Sequence, residues 1–181
     1  MKINITLLIL LLVCSLSVKA QSTKEEYRII SIEDLIAQAD SLHGEKVEIV
    51  GLVAHLCGVD GKKMKLKSPG GALVKIVPKS EKEAFDSSLK KQVVCVKGVL
   101  EITRIEKAYV DKMEKEGTLL CHIDHSACKD KPWVNNKIET GADVEIVKKY
   151  IAKLRKMMAE SGKDYINSVC ICADKVEPLN P

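Results

Sequence analysis

Aromatic residues are scarce: 3 % of the 181-residue chain, with a single Phe and a single Trp. Proteins that hold single-stranded nucleic acid commonly stack its bases on aromatic rings, so this composition argues against that role. A charge excess of one sign is missing too. The formal net charge is +4, and it falls to about +2 if the first twenty residues, with two lysines and no acids, are removed as a leader. That balance gives no electrostatic case for a polyanionic partner. Also missing are a Gly-x-Ser-x-Gly elbow, a His-Glu-x-x-His pair and a phosphate loop. A thiol oxidoreductase normally carries Cys-x-x-Cys, and Cys170-x-Cys172 has the wrong spacing. A non-enzymatic role is therefore expected.

Only one long apolar run occurs, and it is at the start. Lys2 precedes the stretch Ile5–Val13, broken only by Thr6, and Val18-Lys19-Ala20 ends it with a small residue. This reads as a cleaved export signal over 1–20, too short to anchor the chain in a bilayer. A lipoprotein signal on Cys14 is the alternative, but Val13 stands where a small residue is expected. The expected location is the periplasm or the medium, with no membrane span in residues 21–181, which are long enough for one domain. Cys57, Cys95, Cys121, Cys128, Cys170 and Cys172 remain, an even set in an oxidising compartment.

Periodicity predicts a helix over 31–43, opened by Ser31 with Asp34 and closed by Gly44. Strands follow at Lys46–Cys57, Lys62–Lys67 and Ala72–Val77, with Asp60-Gly61 and Pro69-Gly70-Gly71 as turns. Ser80 with Glu83 predicts a short helix burying Phe85 and Leu89. A strand over Gln92–Ile102 comes next, then a helix from the Thr103/Glu106 box to Glu116. Residues 118–141 read as a polar loop containing Pro132 and Trp133. An amphipathic helix spans about Ala142 to Ser161, with Val144, Val147, Ile151, Leu154 and Met158 on one face, and Tyr165–Val176 is the last strand. The expected fold is mainly β with helical additions (α+β). It is a five-stranded OB-fold barrel with an N-terminal helix and a two-helix insertion, at about 103–162, before the last strand. Gly51 and Gly98 would let two long strands bend.

Gly51-Leu52-Val53, then Cys57-Gly58-Val59-Asp60-Gly61-Lys62-Lys63-Met64, resembles the Gly-x-Val … Cys-x-x-x-Gly-Cys-Trp-Met pattern of a family of small exported bacterial OB-fold proteins of unknown function. The resemblance implies the barrel, the helical insertion and export, but no activity. Lys62 and Lys63 replace the family's Cys-Trp, so a site using that cysteine is absent or rebuilt.

The chemistry concentrates in Cys121-His122-Ile123-Asp124-His125-Ser126-Ala127-Cys128 and in His55-Leu56-Cys57. These are the ligand types of zinc and copper. His55, Cys57, Cys121, His122, His125 and Cys128 are the candidate metal ligands, and Met64 could add a thioether. The preferred set is Cys57, Cys121, His125 and Cys128. The competing reading is a Cys121–Cys128 disulfide in a stapled module that recognises a glycan, peptide or protein partner. Cys170 or Cys172 could reach Cys95 across neighbouring strands. The run Lys62, Lys63, Lys65, Lys67 lies where OB-folds contact oligonucleotides or sugars, but it reads better as a solvated strand edge. Trp133 reads as a pin for the loop, and His43 as a helix-end residue.

Overall fold

A computed structural model describes residues 26–179. The expected signal and Cys14 lie outside that range. Six strands form the sheet: β1 (Arg28–Ile29), β2 (Lys46–Leu56), β3 (Met64–Lys67), β4 (Leu73–Pro78), β5 (Val93–Glu106) and β6 (Tyr165–Pro178). β2 pairs antiparallel with both β3 and β5, β3 with β4, and β5 with β6, while β4 runs parallel to β6. The ring β2-β3-β4-β6-β5 returns to β2, which is the pairing of an OB-fold barrel. β1 is an unexpected extra strand, parallel to the start of β2.

Alternation explains the closure. On β2, Val47, Ile49 and Val53 point inward and are at most 1 % exposed, while Val50 and Leu52 point out. Leu66, Ile76, Val96, Leu100 and Ile171 complete the interior from the other strands. Each such side chain contributes about 1.5–3 kcal/mol by leaving water. Gly98 sits at a bulge between β5 and β6. A Cβ there would lie 2.8 Å from the Ala173 Cα and closer still to the Cys172 carbonyl, so only glycine allows this approach. The other bulge falls between Val53 and His55 on β2.

The predicted 31–43 helix is broken at Gln38 into α1 (Ile32–Ala37) and α2 (Ala39–Leu42). Ser31 caps α1 by accepting from the Asp34 amide at 3.0 Å. Ile32, Leu35 and Leu42 plug the barrel. The Ser80/Glu83 helix does not form. Ser80 and Glu83 make only a turn, and the sole helical piece there is a 3₁₀ turn at Ser87–Leu89, capped by Asp86. Leu89 is buried as expected and Phe85 half-buried.

The segment between β5 and β6 carries three helices rather than two: α3 (Lys107–Lys115), α4 (Lys131–Glu139) and α5 (Asp143–Ser161). The Thr103/Glu106 box is not a helix start, because Thr103 to Glu106 continue β5 opposite Ser168 to Tyr165. Helix α4 occupies part of the expected loop. Its N-cap is Asp130, which accepts from the Trp133 amide at 3.1 Å, and Pro132 stands in its first turn. Val147, Ile151, Leu154 and Met158 of α5 pack with Val110, Met113 and Leu119 into a second core, separate from the barrel interior. Val144, expected on that face, is 56 % exposed. Gly162, at φ 65°, closes α5 in the left-handed region.

Candidate functional site

Ligands of OB-folds commonly sit at the loop after the first barrel strand and at the connection before the last. Here those are the β2–β3 hairpin loop, residues 57–63, and the insertion. A cavity of about 260 Å³ lies between them. His55 and Cys57 line one side, and Cys121, His122 and Cys128 the other, with Val59, Leu120, Ile123 and Trp133 as apolar wall. Five of the six candidate ligands, from segments more than sixty residues apart in sequence, therefore reach one space.

The hairpin side is set by tight turn chemistry. Cys57 N–H donates to the Lys63 carbonyl at 2.8 Å, and Lys62 N–H to the Asp60 carboxylate at 2.9 Å. Gly61 is at φ 65° with Phe85 O close to where a Cβ would be. The insertion side is a short closed loop. Cys121 N–H donates to Ser126 O at 2.7 Å, His125 N–H to Cys121 O at 2.9 Å, and Cys128 N–H to Leu119 O at 2.8 Å. Leu120 and Ala127 form a β-bridge across it.

A half-buried ion pair joins the two sides. Lys63 Nζ lies 2.6 Å from an Asp124 oxygen and 3.2 Å from Ser126 Oγ. Ser126 Oγ donates to the other Asp124 oxygen at 2.7 Å. Burial alone would raise the Asp124 pKa. Lys63 and the Ser126 donors outweigh burial and bring it to about 2. Burial would likewise lower Lys63, yet Asp124 holds its pKa above the ordinary lysine value. Lys65 Nζ donates to the His122 carbonyl. Two members of the expected basic edge are thus occupied by the protein's own loop, while Lys67 remains exposed.

His125 does not join the cavity. At φ 61° it turns away, and its Nδ1 lies 2.7 Å from Tyr150 Oη. Tyr150 donates to Cys121 O at 3.2 Å, so His125 Nδ1–H is then the donor to Tyr150. Tyr109 donates to His125 O at 2.9 Å. Burial, then the Lys65 charge, lowers the His125 pKa to about 4. The preferred four-ligand set is therefore corrected: His125 is a structural member of the loop. Met64 is also removed as a donor, because it is fully buried in the barrel core.

His55 and His122 meet edge to face, ring centroids 4.4 Å apart. Burial lowers both pKa values, with the Lys65 charge adding to this at His55 and the His55 and Lys65 charges at His122, so the neutral form of each ring is favoured. Cys121 is half-buried, and burial raises its pKa. The amide N–H groups of Ile123 and Asp124 oppose that by facing its sulfur. Among the described residues, no three His, Cys, Asp or Glu side chains converge as a ready-made metal group.

All six cysteines in the described residues are free thiols. The Cys170/Cys172-to-Cys95 contact does not occur, because the register sets Cys95 opposite Glu177, Cys172 opposite Val99 and Cys170 opposite Glu101. Cys95 instead donates to Glu48 at 3.3 Å. His43 ends α2 with its Nε2 3.4 Å from Glu101. Trp133 packs against the second core and also faces the cavity. The sequence reading missed Lys63, Asp124, Tyr109 and Tyr150 as site builders. An acid flanked by two histidines was the signal for Asp124, while the tyrosines carried no local signal.

No protein-family model and no curated protein sequence matches the chain. Among solved structures, it is similar to the telomere capping protein Ten1 from Saccharomyces pombe, at 14 % identity and a TM-score of 0.30, over 41 % of this chain and 67 % of that one. The S. pombe Stn1–Ten1 complex gives 15 % identity and a TM-score of 0.31, over 42 % and 65 %. A DUF3299 family protein from Pseudomonas aeruginosa gives 9 % identity and a TM-score of 0.38, over 86 % and 98 %. It is the strand pairing that defines the barrel. No helix among the described residues is long and apolar enough to cross a membrane.

Proposed function

We propose that this chain is an exported, non-enzymatic OB-fold binding protein that takes a thiophilic transition-metal ion into the cavity between its first hairpin and its insertion. The observation behind this is the gathering of His55, Cys57, Cys121, His122 and Cys128 around one space. Sulfur and neutral imidazole are the donors that zinc and copper select. The test is elemental analysis of the purified, reduced protein with thiol titration on the same sample. Near one equivalent of metal, with thiols that become reactive on chelation, supports the reading. A metal-free protein that also takes up none when offered refutes it.

A second reading has its own observation. Val59, Leu120, Ile123 and Trp133 give the same cavity an apolar wall, which suits an apolar side chain of a peptide partner or the face of a sugar ring. Saturable quenching of Trp133 fluorescence by such a ligand, in metal-free protein, would favour it. Nucleic-acid binding is disfavoured by the scarcity of aromatics and by the engagement of Lys63 and Lys65 with the insertion loop.

A further inference from the structure

We infer that the cavity between the hairpin and the insertion takes an uncharged aromatic ring carrying one hydroxyl group. The ring lies against Val59, Leu120, Ile123 and Trp133, and the hydroxyl meets the imidazoles of His55 and His122. This rests on the apolar-cavity reading above and names its ligand.

Size and wall are the first argument. An apolar cavity of about 150 Å³ holds benzene. This one, at about 260 Å³, has room for one substituted ring. Trp133 gives that ring an aromatic neighbour, a contact that contributes beyond the area it buries. The free thiols of Cys57, Cys121 and Cys128 extend the same wall, since an unpaired thiol packs as a small hydrophobe.

Charge is the second. The lining holds Lys63 and Lys129 against Asp60 and Asp130, so these four present no net charge to a ligand. Lys63 is already paired with Asp124, and Asp60 and Asp130 each accept from a backbone amide. Lys129 is exposed, where water screens its charge. An ion would leave water for an apolar wall without a buried partner, which is costly.

Hydrogen bonding is the third. The rings of His55 and His122 meet, one from each side of the cavity, with centroids 4.4 Å apart. Among the described residues, no hydrogen bond uses a ring nitrogen of either, whereas His125 Nδ1 is held by Tyr150. A neutral imidazole carries one N–H and one bare nitrogen. A hydroxyl both donates and accepts, so it matches such a pair. A hydrocarbon would leave those nitrogens without a partner. A sugar would turn several hydroxyls toward the apolar wall, each at a cost.

The experiment uses the reduced, chelator-treated protein at about pH 8, where an ordinary imidazole is uncharged. Calorimetry and the emission of Trp133, the single tryptophan of the chain, follow titration with p-cresol and with toluene, which differ only by the hydroxyl. p-Cresol should bind saturably, with a Kd of about 1 mM or tighter, and about 3- to 10-fold more tightly than toluene. A cavity with no partner for the hydroxyl gives the opposite order, because that group then leaves water uncompensated. The preference should be lost in His55→Phe or in His122→Phe, which keep an aromatic ring in place. If His55→Phe fails to fold, His122→Phe, at the exposed rim, still decides. N-Acetyltyrosinamide separates the two sources of such a ring: its binding beside p-cresol assigns a tyrosine side chain of a peptide, and its exclusion a free phenol. Toluene binding as tightly as p-cresol, or tighter, overturns the hydroxyl site and leaves the apolar-cavity reading standing. Binding of neither overturns both. A p-cresol preference that survives in both histidine variants overturns the assignment to the imidazoles.

Discussion

Replacing Asp124 by Asn removes the charge that ties the insertion to the hairpin while keeping the side chain's size. Holding this carboxyl at about 2 instead of 3.8 corresponds to roughly 2.4 kcal/mol at 1.36 kcal/mol per unit. The side chain is 14 % exposed, so solvent screening trims this, and about 2 kcal/mol is expected at pH 7. The pKa is depressed in the folded state, so the stabilisation is complete above the unfolded value near 4. It is lost as the pH falls through about 2. Urea denaturation of the parent and Asp124→Asn at pH 7 should therefore differ by about 2 kcal/mol, and the difference should shrink steadily below pH 4. A Lys63→Met partner variant completes a double-mutant cycle, whose coupling should be of similar size at pH 7. A difference below about 0.5 kcal/mol at pH 7, or one that is the same at pH 2.5 as at pH 7, would refute the clamp.

Gly98→Ala should cost about 3 kcal/mol or more, because the new methyl meets backbone rather than a movable side chain; calorimetry would show a Tm near the parent's if the approach is looser than described. Tyr150→Phe should cost about 1–2 kcal/mol through the lost bonds to His125 and Cys121 O, and limited proteolysis should then cut within 119–128 first. Met64→Leu should change stability by less than about 1.5 kcal/mol and leave metal retention untouched; altered metal content in this variant would return the thioether to the site.

The barrel was readable because its signals are collective. Alternation on Lys46–Leu56 and the two glycine-bearing turns set three strands, and the order of elements then left few ways to close them. The errors came from short local signals overruled by the ladder. Thr103 and Glu106 have the spacing of a helix cap, but thirteen residues of β6 are paired to β5 and hold this stretch extended. Helix α4 was missed because it has no buried residue and hence no apolar stripe, although Asp130 and Pro132 stood at its start. In the site, residue types were visible and their directions were not. His125 and Cys121 are four apart and look like a ligand pair, yet a left-handed backbone at His125 sends the ring to Tyr150, twenty-five residues later. No periodicity reports that. The same limit applies to Cys95, whose neighbours Glu48 and Glu177 are set by the registers of β5 with β2 and with β6.

The position of β6 in the ring has a consequence for the order of folding. β6 is hydrogen-bonded to β4 on one side and to β5 on the other, so the ring stays open until β6 docks. The hairpin loop can form early from local contacts. The insertion loop has no fixed place until β5 and β6 meet beneath it. The two halves of the cavity are therefore assembled late, across a long sequence separation, with the entropic cost of closing the whole intervening chain. Until then the cysteines of the two sides, Cys57 on the hairpin and Cys121 and Cys128 on the insertion, stand apart.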